Sequence, residues 1–225
     1  MHTEDVAPTN SRRYSAHVFR GADRPEELAR AQRFRRIELV EGLGWDLTVI
    51  DGREVDEFDN ADALHCLIRS EGEIVGYFRT IRTDRPYLAA TKFPALATLR
   101  PYPSSPIAWE LSRIAVKSSE RRFETALHLY STMMQVVGRR GGLAICGFVD
   151  TNHERLFGRA GLITERYGEP ATIGCDHFGR PITVVAGEIP FPKQSGARFE
   201  RLVSLVETME VDDADAVFGR SSLSA

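Results

Sequence analysis

The sequence predicts an α/β fold in one domain, and three features carry that prediction. Residues 63–69 and 73–82 are apolar runs around Glu71-Gly72, the pattern of a strand hairpin. Residues 109–149 read strand, helix, strand: Trp109 to Val116, then Phe123, Ala126, Leu127, Tyr130, Met133, Met134 and Val137 at helical spacing, then Leu143 to Val149. Such a β-α-β unit places two parallel strands in one sheet through a right-handed crossover. A chain of 225 residues with 42% hydrophobic content can bury a sizeable core, at the upper end of a single α/β domain.

Bulk properties exclude several classes. A net charge of -3 leaves no global basic field for nucleic acid. Cys66, Cys146 and Cys175 are odd in number, widely spaced and set in apolar runs, as expected of reduced, buried thiols in a cytoplasmic protein rather than a disulfide framework or zinc site. No apolar run approaches the roughly 18 residues that span a bilayer, and Met1 to Arg13 lacks the apolar core of a signal peptide. Neither membrane insertion nor export is expected.

Residues 1–13 are polar and predict a flexible arm, with the domain at 14–209 and a polar tail at 210–225. Tyr14 to Phe19 suits a first strand. Asp23 offers an N-cap, Pro25, Glu26 and Glu27 suit a first helical turn, and Leu28, Ala31, Phe34 and Arg35 keep helical spacing towards Val40. Arg30, Arg33, Arg35 and Arg36 read mainly as a solvated face. Gly42-Leu43-Gly44-Trp45 breaks the helix, Leu47 to Ile50 is a short strand, and Asp51-Gly52 turns it. The acidic loop of Glu54, Asp56, Glu57, Asp59 and Asp62 lacks the central glycine and distal glutamate of a calcium loop, so no metal is predicted.

In the second hairpin strand Val75, Tyr77, Arg79 and Ile81 share one face, and Arg79 is the partner the acidic loop lacks. Residues 83–106, proline-rich and carrying Phe93, Leu96 and Leu99, predict an irregular segment or short helix of the kind that covers a site. Ser118 and Ser119 can cap the helix that follows, with Met133 and Met134 in its core stripe, and Gly138 and Gly141-Gly142 end it. Asn152 starts another helix, stopped by Gly161, with His153 expected at the surface. A hairpin around Asp176-His177-Phe178-Gly179 and an amphipathic helix from Arg198 to Met209 complete the domain.

Chemistry concentrates in Trp109-Glu110-Leu111-Ser112-Arg113-Ile114-Ala115-Val116, a buried strand carrying a carboxylate, a hydroxyl and a guanidinium. Regular alternation sends Glu110 and Ser112 to one face and Trp109, Leu111 and Arg113 to the other. An unpaired buried charge costs several kcal/mol, so Arg113 needs a carboxylate, and Glu110 needs a donor or a wet cleft. A structural salt bridge would meet the same need.

Taken together, Arg35, Leu43-Gly44-Trp45, Asp56-Glu57-Phe58-Asp59, Arg79, Phe93 and Glu110-Leu111-Ser112-Arg113 resemble the motif of the acyl-homoserine lactone synthases, the LuxI type of autoinducer synthase. The match spans roughly 14–190. One departure is Leu39, where the family usually has phenylalanine six residues before the tryptophan. The resemblance implies an N-acetyltransferase-like (GNAT-like) fold, a mixed twisted sheet flanked by helices whose central strands splay to admit a pantetheine arm. It lacks the glycine-rich phosphate loop of that wider fold: Lys117-Ser118-Ser119-Glu120-Arg121-Arg122 stands there, so phosphate would meet side chains and the helix N-terminus.

The implied reaction acylates the amine of S-adenosyl-L-methionine from an acyl thioester, on acyl-carrier protein or as acyl-CoA, and closes an N-acyl-homoserine lactone while releasing methylthioadenosine. It implies Glu110 as general base, with Ser112 beside it as a second catalytic residue, and Arg35, Trp45, Asp56, Asp59, Arg79, Phe93 and Arg113 around the substrate. Phe93 and the Met133-Met134 face would wall the acyl chain. Gly147 and Phe148 would bear on acyl selection, and Gly147, where relatives that favour 3-oxo chains carry threonine nearby, favours an acyl group without that oxygen. Lys117, Arg121 and Arg122, with Arg139 and Arg140, would dock the donor. No cofactor beyond the two substrates is implied. An N-acyltransferase acting on another amine, and a silent module that binds adenosylmethionine or acyl chains, stay open as other readings.

Overall fold

The structure is a computed structural model that describes residues 13–213, so the arm expected at 1–13 lies outside it except for Arg13. β1 (Tyr14–Arg20) leads to α1 (Pro25–Arg35), where Pro25 fits a first turn whose N–H groups have no partner. Asp23 is not the cap. Its N–H turns back to the Arg20 carbonyl, and Arg24 precedes the helix without a side-chain cap bond. The helix continues as a π-helical turn over 36–42, where the Leu43 N–H reaches the Glu38 carbonyl at 3.1 Å.

β2 (Val49–Ile50) and β3 (Arg53–Glu54) form a separate small ribbon around Asp51 and Gly52, both at positive φ, as a two-residue hairpin turn of this hand requires. β4 (Leu64–Ser70) and β5 (Glu73–Arg82) are the predicted hairpin, α2 (Leu88–Lys92) is the short helix in the proline-rich segment, and β6 (Ala108–Val116) is the strand that carries the chemistry. α3 (Arg122–Gly138), β7 (Ala144–Asp150) and α4 (Thr151–Ala160) follow, α4 capped by Asp150 and stopped by Gly161 at φ +92°. β8 (Glu165–Arg166), β9 (Ala171–Cys175), β10 (Pro181–Pro190), α5 (Ala197–Ser204) and β11 (Glu210–Asp213) end the described chain.

Among the described residues the sheet runs β11-β1-β4-β5-β6-β7-β10-β8, with β9 also on β10; β6–β7 and β1–β11 are parallel and the rest antiparallel. One face packs on α3, α4 and α5 through residues such as Leu111, Leu129, Met133, Phe157 and Leu202. The other packs on α1 through Phe19, Phe34, Leu67, Tyr77 and Ala115.

Several expectations need correction. Residues 210–213 are not tail but β11, paired with β1 and held by Arg140 to Asp213 at 2.6 Å. Val75 leaves the face shared by Tyr77, Arg79 and Ile81, because the β4–β5 register shifts beside it and turns it towards the α3 side. Neither Ser118 nor Ser119 caps α3, which starts after Arg121 with no side-chain cap bond. Cys66 and Cys146 are buried free thiols, but Cys175 is exposed at a hairpin tip. Among the described residues no helix is long and apolar enough to cross a membrane, and no group of three His, Cys, Asp or Glu side chains could hold a metal.

Candidate active site

The parallel pair β6–β7 is joined only at its start. Ala108, Trp109 and Glu110 pair with Ala144, Ile145 and Cys146, after which the strands part while β6 runs on to Val116 and β7 to Asp150. Gly147 sits at the parting point. A Cβ there would lie 2.6 Å from the Leu111 carbonyl oxygen, so a side chain is excluded by the neighbouring backbone. That close approach is by itself a sufficient reason for the glycine.

Glu110 is the last paired residue before the gap. It is 1% exposed, and its carboxylate accepts the backbone N–H groups of Leu88 (3.1 Å) and Ala89 (2.6 Å) at the start of α2. Burial raises its pKa, against the opposing pull of those N–H groups and of Arg79 and Arg113. The carboxylate lines a cavity of about 260 Å³ that passes through the split, with Leu39, Leu43 and Trp45 on the α1 side and Phe123, Tyr130 and His153 on the α3–α4 side. The chain thus brings a fixed, desolvated carboxylate to a cavity lined from both faces of the sheet.

Beside it, three guanidiniums meet three carboxylates. Arg35, fully buried, holds Asp59 through two bonds of 2.7 and 2.8 Å, the Glu54 carbonyl at 2.8 Å and the Glu54 carboxylate. Arg79, also fully buried, bonds Asp56, Asp59 (2.8 Å) and the Ser112 hydroxyl (3.1 Å). Arg113 bonds Glu54 at 3.1 Å and Asp56 at 2.7 Å. Burial pushes the Asp59 carboxyl up, but Arg35 and Arg79 outweigh it and hold it well below the usual carboxylate range; at Asp56, too, burial is outweighed by Arg79 and Arg113, which lower it from its ordinary value.

Arg113 reaches this cluster by breaking the alternation that was expected to send it to the opposite face. The β5–β6 register shifts between Tyr77 and Arg79, and Arg113 takes φ +56°, so the bulge turns it to the face of Ser112. Glu54, Tyr77 and His65 belong to the cluster although the motif does not name them. Tyr77 accepts from Arg35 at 3.2 Å and bonds His65 Nδ1 at 2.7 Å, and burial beside the cations lowers His65 to about 3. The sign of Glu54 in the sequence is its place directly after the Asp51-Gly52 turn, which aims β3 at α1.

The remaining candidates divide. Trp45 is half-buried and lines the cavity. Phe148 lines it too, and Phe93 packs behind Phe148 at 4.8 Å between ring centres. Of the donor-docking set only Arg122 lines the cavity: Lys117 is paired with Glu73 at 2.7 Å, and Arg121 is exposed just before the helix. Arg139 and Arg140 lie at the other end of α3, about 25 Å away for 17 residues, so they cannot bracket the same mouth. Met133 and Met134 are sealed in the core behind the sheet and line no cavity described here. His153 is half-buried on the cavity wall rather than exposed: it lies between Tyr130, whose hydroxyl it meets at 2.8 Å, and Phe157, and burial lowers it to about 4.

A split mixed sheet with a buried carboxylate at the parting of its strands fits the α/β acyltransferase class that the motif implies. The chain belongs to the autoinducer synthase family, whose sequence profile matches residues 24–190. It is 34% identical over 175 residues to an acyl-homoserine-lactone synthase of Ralstonia nicotianae, an alignment spanning 73% of this chain and 84% of that one. The crystal structure of TofI in a ternary complex with an inhibitor and MTA is similar at 32% identity and a TM-score of 0.68, covering 83% of this chain and 96% of that one. The structure of BjaI with MTA, described as a CoA-dependent acyl-homoserine lactone synthase, is similar at 25% identity and a TM-score of 0.75, covering 88% and 93%. The protein is accordingly an enzyme of the acyl-homoserine-lactone synthase class, with the GNAT-like sheet expected of it.

Proposed function

We propose that this chain acylates the amine of S-adenosyl-L-methionine from an acyl thioester and then closes the lactone. The observation that carries this reading is the Glu110 carboxylate, fixed at the parting of β6 and β7 on a cavity wall shared with Trp45. The amine and the thioester meet in that cavity beside Glu110. Glu110 takes the amine proton, through a water, as the nitrogen attacks the thioester carbonyl; the C–N bond forms, the C–S bond breaks and the thiol leaves. Ser112, whose oxygen accepts from Arg79, keeps its own proton free to donate to substrate. The methionyl carboxylate then attacks its γ-carbon, and the bond to the positive sulfur breaks to release methylthioadenosine. Holding the chain curled supplies much of that acceleration.

In this reading Trp45 faces the sulfonium, an aromatic–cation contact of about 0.5–2 kcal/mol. Arg35, Asp56, Asp59, Arg79 and Arg113 fix the loop that covers the substrate, and Phe93 and Phe148 wall the acyl path. Arg122 meets the donor. No cofactor is used beyond the two substrates, and both are met in the cytoplasm, where buried thiols such as Cys66 and Cys146 stay reduced. The test is incubation of purified protein with adenosylmethionine and a panel of acyl thioesters, with mass spectrometry of the products. Lactone and methylthioadenosine should appear together in equal amounts; acyl transfer without methylthioadenosine would overturn the reading.

A further inference from the structure

Arg122, which meets the donor in the proposed function, shares its cavity wall with a carboxylate that reaches the loop between β6 and α3. Glu38 Oε2 accepts the Ser118 N–H at 3.2 Å, across 80 residues of sequence. The π-helical turn makes this possible. Its five-residue step stacks Leu43 on Glu38, so that Glu38, Leu39 and Leu43 all line the cavity, as does Arg122 across from them at the start of α3. Half-buried, the Glu38 carboxyl is pushed up by burial and pulled back by the Ser118 N–H, Arg122 and Lys117. Lys117 is already neutralised by Glu73, whereas Arg122 has no ion pair among the described residues.

Resting on the proposed function, we infer that Glu38 determines donor specificity: its carboxylate holds the amide that a donor phosphate would use, and so sets the enzyme against coenzyme A thioesters and in favour of pantetheine carried on a protein. The two donors present the same arm, with the first phosphorus equally far from the sulfur. They differ in charge. Pantetheine on a carrier serine brings one phosphodiester of about one negative charge, whereas coenzyme A adds a second phosphoryl and a 3′-phosphate, about four charges in all near neutral pH. The guanidiniums of Arg122 and of Arg159, which lies over the Phe123 ring at 4.7 Å, less the one negative charge of Glu38 leave about one positive charge at this wall of the cavity, enough for the first donor and not for the second.

The experiment measures KM with the same acyl chain on coenzyme A and on holo carrier protein, at saturating adenosylmethionine, for wild type, Glu38→Gln and Glu38→Ala. Gln keeps an oxygen for the Ser118 N–H and removes only the charge, so a purely structural tether would leave KM unmoved in that variant. Wild type should favour the carrier protein, and Glu38→Gln should lower KM for the coenzyme A thioester about tenfold while changing the carrier-protein KM less than about threefold. As a second measurement, adenosine 3′,5′-bisphosphate, the phosphate-bearing end of coenzyme A, should bind Glu38→Gln and Glu38→Ala more tightly than wild type in calorimetry. The inference is overturned if wild type favours the coenzyme A thioester, if both KM values move together, or if neither moves. A wild type that forms lactone from neither donor overturns the synthase reading itself, and this inference with it.

Discussion

Asp59→Asn is the sharpest probe of the charge cluster. The Asp59 carboxylate is 5% exposed and accepts Arg35 twice, Arg79 at 2.8 Å and the Gln32 amide at 3.1 Å. Three cations, Arg35, Arg79 and Arg113, face three anions, Glu54, Asp56 and Asp59, in a closed network. Asn keeps the volume but removes one negative charge and points an N–H₂ group at guanidinium donors. Breaking one partner out of a buried ionic group costs about 3–5 kcal/mol. Against a domain stability of about 5–15 kcal/mol that is a large share. At about 2–4 °C per kcal/mol for a chain of this size, the melting midpoint should fall by roughly 6–20 °C. Thermal and urea unfolding followed by the fluorescence of Trp45 and Trp109 would measure it. A shift below about 2 °C would refute the reasoning, because it would mean the cluster is solvated enough to lose a charge at no cost.

Gly147→Ala should destabilise the fold by about 1–3 kcal/mol and lower activity, since its Cβ must displace the Leu111 carbonyl at the parting point; a fully active, equally stable variant would remove the steric reading of that glycine. His65 is neutral in the fold, with a pKa lowered to about 3, while the unfolded chain takes up its proton near the ordinary value of 6.5. Its contribution is therefore intact above about pH 6.5 and is lost as pH falls towards 3, by about 2 kcal/mol at pH 5. His65→Asn, able to accept from Tyr77, should flatten the stability loss between pH 7 and 5, and an unchanged slope would assign that loss to other groups. Trp45→Ala should raise KM for adenosylmethionine roughly 2- to 30-fold in steady-state assays, equivalent to losing a cation–aromatic contact of about 0.5–2 kcal/mol; an unchanged KM would take Trp45 out of the sulfonium site.

Much of this site was legible because its parts are local or chemically compulsory. A carboxylate and a guanidinium in an apolar strand must find partners, and the acidic loop offers them to Arg79. The hairpin turn at Glu71-Gly72, the β-α-β unit and the Gly161 stop follow from backbone preferences of a few neighbouring residues. What stayed hidden depends on one-residue shifts in register. The bulges that turn Arg113 to the Ser112 face and Val75 away from Tyr77 leave no composition signal, because one extra residue reverses every later side chain in the strand. β11 was missed because an edge strand of four residues, rich in acid, has no periodicity to read. Met133 and Met134 lie on the predicted stripe of α3 but are fully buried beyond Tyr130, where that helix has left the cavity, a distinction that needs the third dimension. The polarity of His153 suggests exposure, whereas Tyr130 and Phe157, 23 and 4 residues away, leave it half-buried on the cavity wall.

The most direct measurement is the single-turnover rate of amide formation on adenosylmethionine between pH 5 and 9, for wild type and Glu110→Gln. Burial raises Glu110 above its ordinary value, so its base-competent fraction grows as pH rises through a midpoint above 4.5. Wild type should climb with that ionisation, and Glu110→Gln should be slower by about 10²–10⁴-fold at every pH while folding normally. A glutamine variant that forms the amide at the wild-type rate would contradict the account.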